Sequence, residues 1–183
     1  MKLFIIPTDT CFGIWCFVQD VEWYENIYEI KWRDFNKPIS IFIDSFEYLE
    51  KNTKLTKENI NFLKNYKNPW TVVINIENLT DKKLLQNISK LPNKKIYKKI
   101  AFRVSHTKLQ QDLIKENGIF FLTSLNNSWE KEITNLGQIS NNLKDKLKKY
   151  NVKILDKTIY SHQDFSNIIE FQNDKIFFLR KKA

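Results

Sequence analysis

Short apolar runs alternate with amphipathic stretches along this chain, and their order predicts strands interleaved with helices. The apolar run 2–6 stops at Pro7, which cannot donate to a strand ladder, so a first buried strand ends there. Behind Asp20, the positions Val21, Tyr24, Ile27, Tyr28 and Ile30 recur at helical spacing and predict a capped helix to about Lys31. Pro38 separates it from a second strand, 39–43. Ser45 and Thr56 are expected to cap two short helices, the second packed through Phe62, Leu63 and Tyr66. A β-branched run follows Pro69, from Thr71 to Ile76. Asp81 predicts a helix to Ile88, followed by a lysine-rich loop over 90–99. A strand over 100–104 and a helix from Thr107 to about Gly118 come next, then a strand over 119–122. A helix is expected over 139–150, and 166–171 with 175–180 predict a hairpin turned at 172–174. The expected architecture is one α/β (α+β) domain over residues 1–183, a mixed sheet flanked by helices.

Composition narrows the class. Apolar residues are 42% of 183 and aromatics 14%, enough for a sizeable core and unlike a disordered chain. No apolar run approaches the roughly 20 residues of a membrane-spanning helix. The first strand leads into a polar motif rather than a signal-peptide core, so a cytoplasmic chain is expected. Cys11 and Cys16 have no second pair and no nearby histidine, and they read as buried, reduced thiols. His106 and His162 are isolated, so no protein metal site is expected. The charge of +9, from 30 Lys and Arg against 21 Asp and Glu, favours a polyanionic ligand such as ATP or RNA.

Polar motifs at the ends of the apolar runs carry the candidate chemistry. Pro7-Thr8-Asp9-Thr10 follows a strand directly, at the carboxyl edge where open α/β sheets bind ligands, although an ordinary polar turn reads the same way. Lys31 and Arg33 converge on one anion only if their helix stops there, and Asp34, Asn36 and Pro38 supply the stop. The helix macrodipole alone also favours cations at that end. Arg103 lies inside a buried strand and needs a carboxylate, from a ligand or from a structural Asp or Glu.

Taken in order, six segments resemble the YrdC/TsaC family of threonylcarbamoyl-AMP synthases. The first is Pro7-Thr8-Asp9-Thr10 with Cys11-Phe12-Gly13-Ile14, and the second is Lys31-Trp32-Arg33 with Lys37-Pro38. Asn68-Pro69-Trp70-Thr71 and Ala101-Phe102-Arg103-Val104 follow. Ser124-Leu125-Asn126-Asn127-Ser128, with Thr134 beyond it, is the fifth, and Ser166-Asn167-Ile168-Ile169-Glu170 with Leu179-Arg180 completes the set. The resemblance implies a YrdC/RibB-like twisted sheet with a concave basic face. It also implies synthesis of threonylcarbamoyl-AMP from L-threonine, bicarbonate and ATP, with release of pyrophosphate, for the threonylcarbamoyladenosine modification of tRNA. On that resemblance Lys31, Arg33, Ser124 and Asn126 carry catalysis, and the same four with Lys37 and Arg180 bind ATP. Thr8, Thr10, Arg103 and Ser166 would bind threonine, and Mg2+ would arrive with ATP. The tRNA and the downstream threonylcarbamoyl-transfer proteins are the implied partners of a monomer or weak dimer. A non-catalytic module binding double-stranded RNA or tRNA is the alternative, but it has no need for Thr10, Arg103 and Ser166.

Departures from the family are as specific. The chain is expected to lack the family's N-terminal helix and the C-terminal domain of its longer members. Phe42 stands where archaeal members carry a histidine for threonine. Only three glycines occur, Gly13, Gly118 and Gly137, where ordinary usage gives roughly 13. Trp15, Trp32 and Trp129 fall on family glycines, where indoles are expected to crowd the phosphates. The pattern suggests a gene whose UGA codons mean glycine and are written as tryptophan.

Overall fold

A computed structural model describes residues 3–158, 165–173 and 175–181. The chain runs β1 (Phe4–Pro7), β2 (Phe12–Phe17), α1 (Val21–Lys31), β3 (Ser40–Ile43), α2 (Phe46–Asn52), α3 (Lys57–Asn65), β4 (Trp70–Asn75) and α4 (Lys82–Ser89). It continues through β5 (Lys99–Val104), α5 (Lys108–Asn117), β6 (Phe120–Ser124), α6 (Asn141–Lys149), β7 (Lys153–Ile154), β8 (Asn167–Gln172) and β9 (Lys175–Arg180). All nine strands join one mixed sheet in the order β7-β1-β2-β6-β3-β5-β4-β8-β9.

Side-chain alternation along the strands sorts residues onto two unequal faces. Ile14, Ile41, Val72, Phe102 and Ile169 point to one face, where they meet apolar side chains of α1, α2, α3, α4 and α6 in the main core. The other face carries Trp15, Phe42, Phe120 and Leu122, and α5 covers them through Ile114. Helix α5 covers only that part of the face. The remainder, from Gly13 and Ser124 across to Thr71 and Ile168, is open and forms the principal cavity.

Local sequence explains most helix starts. Thr56 and Thr107 form reciprocal capping boxes with Asn59 and Gln110, while Asp81 and Ser140 each accept one amide N–H. Asp20 and Ser45 occupy their expected cap positions without a side-chain hydrogen bond to a helix amide. Two strands were not expected. β2 is buried at all six positions, so it lacks the alternation of a half-buried strand, and β7 is a two-residue exposed edge. The hairpin of β8 and β9 forms as expected, with Asp174 of its turn outside the described residues.

Candidate functional site

The cavity has a volume of about 370 Å3 and is lined by the ends and open faces of strands that are distant in sequence. Thr8, Thr10, Arg33, Arg103, Ser124, Ser166 and Arg180 all line it. Among the residues expected to bind, Lys31, Lys37 and Asn126 are absent from its wall.

The four-residue turn between β1 and β2 supplies the threonines. Thr8 Oγ1 donates to the Cys11 carbonyl at 2.8 Å and lies 3.0 Å from Thr10 Oγ1, so the hydroxyls tie the turn together. Beyond the turn, Gly13 lies opposite Ser124, and a Cβ there would sit 2.5 Å from Leu122 Cδ1. The absence of a side chain keeps β2 and β6 in contact beneath the cavity floor.

Arg103 rises from β5 beside this turn. One of its Nη atoms pairs with Asp9 Oδ1, and the other donates to Thr10 Oγ1 at 3.4 Å. Its guanidinium lies 5.3 Å from the centre of the Phe42 ring, which supports the arginine from below. Asp9 Oδ2 is also 3.4 Å from His106 Nε2, and burial pushes that imidazole below its ordinary range. The structural carboxylate that Arg103 required is therefore Asp9. One buried donor, Arg103 Nε, still has no partner.

At the opposite wall, Arg180 donates from Nε and Nη2 to the Ser166 carbonyl at 3.0 and 2.7 Å. Ser166 Oγ in turn lies 2.7 Å from Thr71 Oγ1. Burial pushes the Arg180 guanidinium below its usual value, and the Glu132 carboxylate opposes that shift.

Helix α1 stops where the Lys-x-Arg motif requires. Trp32 takes the left-handed conformation at φ 49°, and the Arg33 amide reaches back to the Tyr28 carbonyl at 3.0 Å. The reversal sends Lys31 and Arg33 to different places. Arg33 reaches the cavity while donating to the carbonyls of Lys37 at 3.2 Å and Pro38 at 2.9 Å. A buried hydroxyl network holds this segment: Tyr28 donates to the Lys37 carbonyl at 2.8 Å, and Asn93 Nδ2 donates to the Phe35 carbonyl at 2.7 Å.

Lys31 is 1% exposed, and its Nζ donates to the backbone carbonyls of Ser124 and Asn126. Burial, and then the nearby Arg33, push its ammonium down to about 7. It lies immediately behind the Ser124 wall rather than in it. Asn126 is likewise turned inward, its Nδ2 donating to the Glu130 carbonyl at 2.6 Å. Lys37 is exposed outside the cavity, and its carbonyl serves Arg33 and Tyr28.

The tryptophans do not crowd this space. Trp15 is fully buried beneath α5, its ring 4.6 Å from Phe120 and 4.8 Å from Phe4. Trp32 and Trp129 are exposed, and their rings contact each other at 5.4 Å outside the cavity wall. Sequence reading missed Glu132, the only carboxylate among the described lining residues, which has no motif to announce it. Among the described residues no group of three or more His, Cys, Asp or Glu could hold a metal ion. No helix among the described residues is long and apolar enough to cross a membrane.

The same architecture occurs in known proteins. Sua5 of P. abyssi complexed with L-threonine superposes with a TM-score of 0.72 at 23% identity, over 98% of this chain and 50% of that one. Its H234A/Y235A variant gives 0.74 at 21% identity, over 98% and 49%. E. coli YciO gives 0.68 at 19% identity, over 98% and 82%. The chain thus spans about half the length of the Sua5 structures. None of the curated proteins compared by sequence matches it significantly. The family model Sua5_yciO_yrdC, described as "Telomere recombination", matches residues 2–182, and the chain belongs to the Sua5/YciO/YrdC family.

Proposed function

We propose that this protein is an L-threonylcarbamoyladenylate synthase, a nucleotidyltransferase that supplies threonylcarbamoyl-AMP for tRNA modification. The observation that carries the reading is the convergence of Arg33, Arg103 and Arg180 with Thr10, Ser124 and Ser166 on one cavity of a Sua5/YciO/YrdC fold. The Sua5 relative that binds L-threonine supports threonine as the amino acid.

The reaction joins anions. The threonine amine forms an N–C bond to bicarbonate carbon, and the departing hydroxide leaves with an amine proton as water. The resulting N-carboxylate attacks the α-phosphorus of ATP, and the bond to the β-phosphate oxygen breaks to release pyrophosphate. The barrier is largely electrostatic and positional, which fixed cations and hydroxyls can lower without a side-chain nucleophile. Arg103, held by Asp9 and carrying an unpartnered Nε, suits the threonine carboxylate. Arg33 and Arg180 suit the phosphates, with Ser124 between the two ends. Lys31 acts from behind this wall, polarising the Ser124 segment and reaching phosphate only if the segment moves. Mg2+ enters with ATP as part of the substrate, bound by its phosphate oxygens.

Calorimetric titration tests this reading. L-threonine and ATP should each bind, and Arg103→Ala should abolish threonine binding while retaining ATP. Double-stranded RNA binding with neither small molecule bound would instead support the non-catalytic module.

A further inference from the structure

Glu132 stands in a wall that otherwise presents Arg33, Arg103 and Arg180. A cavity built only to hold polyphosphate would be stronger without it, because a carboxylate repels phosphate oxygens and weakens the field of the arginines.

The segment that carries Glu132 is fixed on both sides. Asn126 Nδ2 holds the Glu130 carbonyl at 2.6 Å, and the Phe12 amide holds the Ile133 carbonyl at 2.8 Å. Ile133 itself is buried in the main core. A carboxylate placed between two such anchors is positioned by the fold. Glu132 nevertheless forms no ion pair within 4.0 Å among the described residues, whose five pairs lie elsewhere. Its charge still reaches the site, opposing the burial that pushes down Lys31 and Arg180.

An unpaired carboxylate among arginines is the complement of a zwitterion. A free α-amino acid brings a carboxylate for an arginine and an ammonium for a carboxylate, whereas bicarbonate brings no cation and the Mg2+ that enters with ATP is already held by its phosphates. We infer that Glu132 forms the ammonium subsite for the amino-acid substrate, an inference that rests on the proposed amino-acid-dependent reaction. Arg103 on β5, beside the β1–β2 turn, and Glu132 on the loop after β6 then hold opposite ends of the amino acid. Compounds with the carboxylate and hydroxyl but no amine lack half of this recognition.

The test is calorimetric titration of the intact protein with L-threonine, with 3-hydroxybutanoate and with ATP. The wild type should prefer L-threonine over 3-hydroxybutanoate. Glu132→Gln should weaken L-threonine by about 10- to 100-fold, the size of one charge-assisted hydrogen bond, and leave 3-hydroxybutanoate unchanged. ATP should bind Glu132→Gln at least as well as the wild type, a retention that mere damage to the loop would not produce. Glu132→Asp, which keeps the charge, should recover part of the L-threonine affinity. L-threonine binding to Glu132→Gln within about twofold of the wild type would overturn the ammonium subsite and leave the proposed function standing. Failure of the wild type to bind L-threonine at all would overturn both.

Discussion

The ammonium of Lys31 is hydrogen-bonded to the backbone carbonyl of Ser124, joining the end of α1 to the end of β6 behind the cavity wall. Lys31 is 1% exposed, so its loss removes a buried donor as well as a charge. Its folded-state proton is released near pH 7, against 10.5 for an ordinary lysine. Between those values the unfolded chain binds more protons, so stability rises with pH, by up to about 1.4 kcal/mol per pH unit. Urea unfolding from pH 6 to 9 should show this rise in the wild type. Lys31→Met should lose the slope and, with two carbonyls left without their donor, be less stable at high pH.

Arg33 separates binding chemistry from packing more cleanly. It is half-buried at the cavity rim and holds only backbone carbonyls of its own segment. Arg33→Ala should keep the wild-type melting temperature within a few degrees and reduce turnover by about 10²–10³, the usual loss for one preorganised electrostatic contact. Threonine-dependent pyrophosphate release, read beside thermal unfolding, checks both halves.

Asp9 and Arg103 form a largely buried pair, with side chains 19% and 10% exposed. Asp9→Asn leaves the guanidinium without its carboxylate and should destabilise the free protein by about 3 kcal/mol. A bound amino-acid carboxylate would replace the missing charge. The thermal shift produced by saturating L-threonine should therefore be larger in Asp9→Asn than in the wild type.

Tryptophan-to-glycine changes should have opposite signs at two positions. At Trp32 the left-handed backbone costs a non-glycine residue roughly 1–2 kcal/mol, while contacts with Lys146 at 4.1 Å return about 0.5–1. Trp32→Gly should be neutral to stabilising by about 1 kcal/mol. Trp15→Gly empties a fully buried site and should cost about 3–5 kcal/mol or more. Chemical denaturation of the two variants measures both.

The amphipathic elements were legible because their signals are local. Thr56, Asp81 and Thr107 each announce a helix by one hydroxyl or carboxylate, and each makes the expected bond. β2 was not legible, because Phe12–Phe17 is buried on both faces and shows no alternation. Thr10, Arg33, Arg103, Ser124, Ser166 and Arg180 were read from motifs and do meet in one cavity. Two features escaped for the same physical reason, that they depend on how distant segments come together in the folded sheet. Asp9 of the β1–β2 turn finds Arg103 of β5 only in the assembled sheet, where three strands separate β1 from β5, and Glu132 reaches the cavity on a loop held by Asn126 and Phe12. The inward turn of Lys31 had no local signal either, since a lysine at a helix end is ordinarily exposed.

Pyrophosphate release from ATP by the purified protein, measured with L-threonine and bicarbonate added singly and together, tests the central claim most directly. The account predicts release only when both are present, with threonylcarbamoyl-AMP as the second product. Release independent of threonine, or none under any combination, would contradict it.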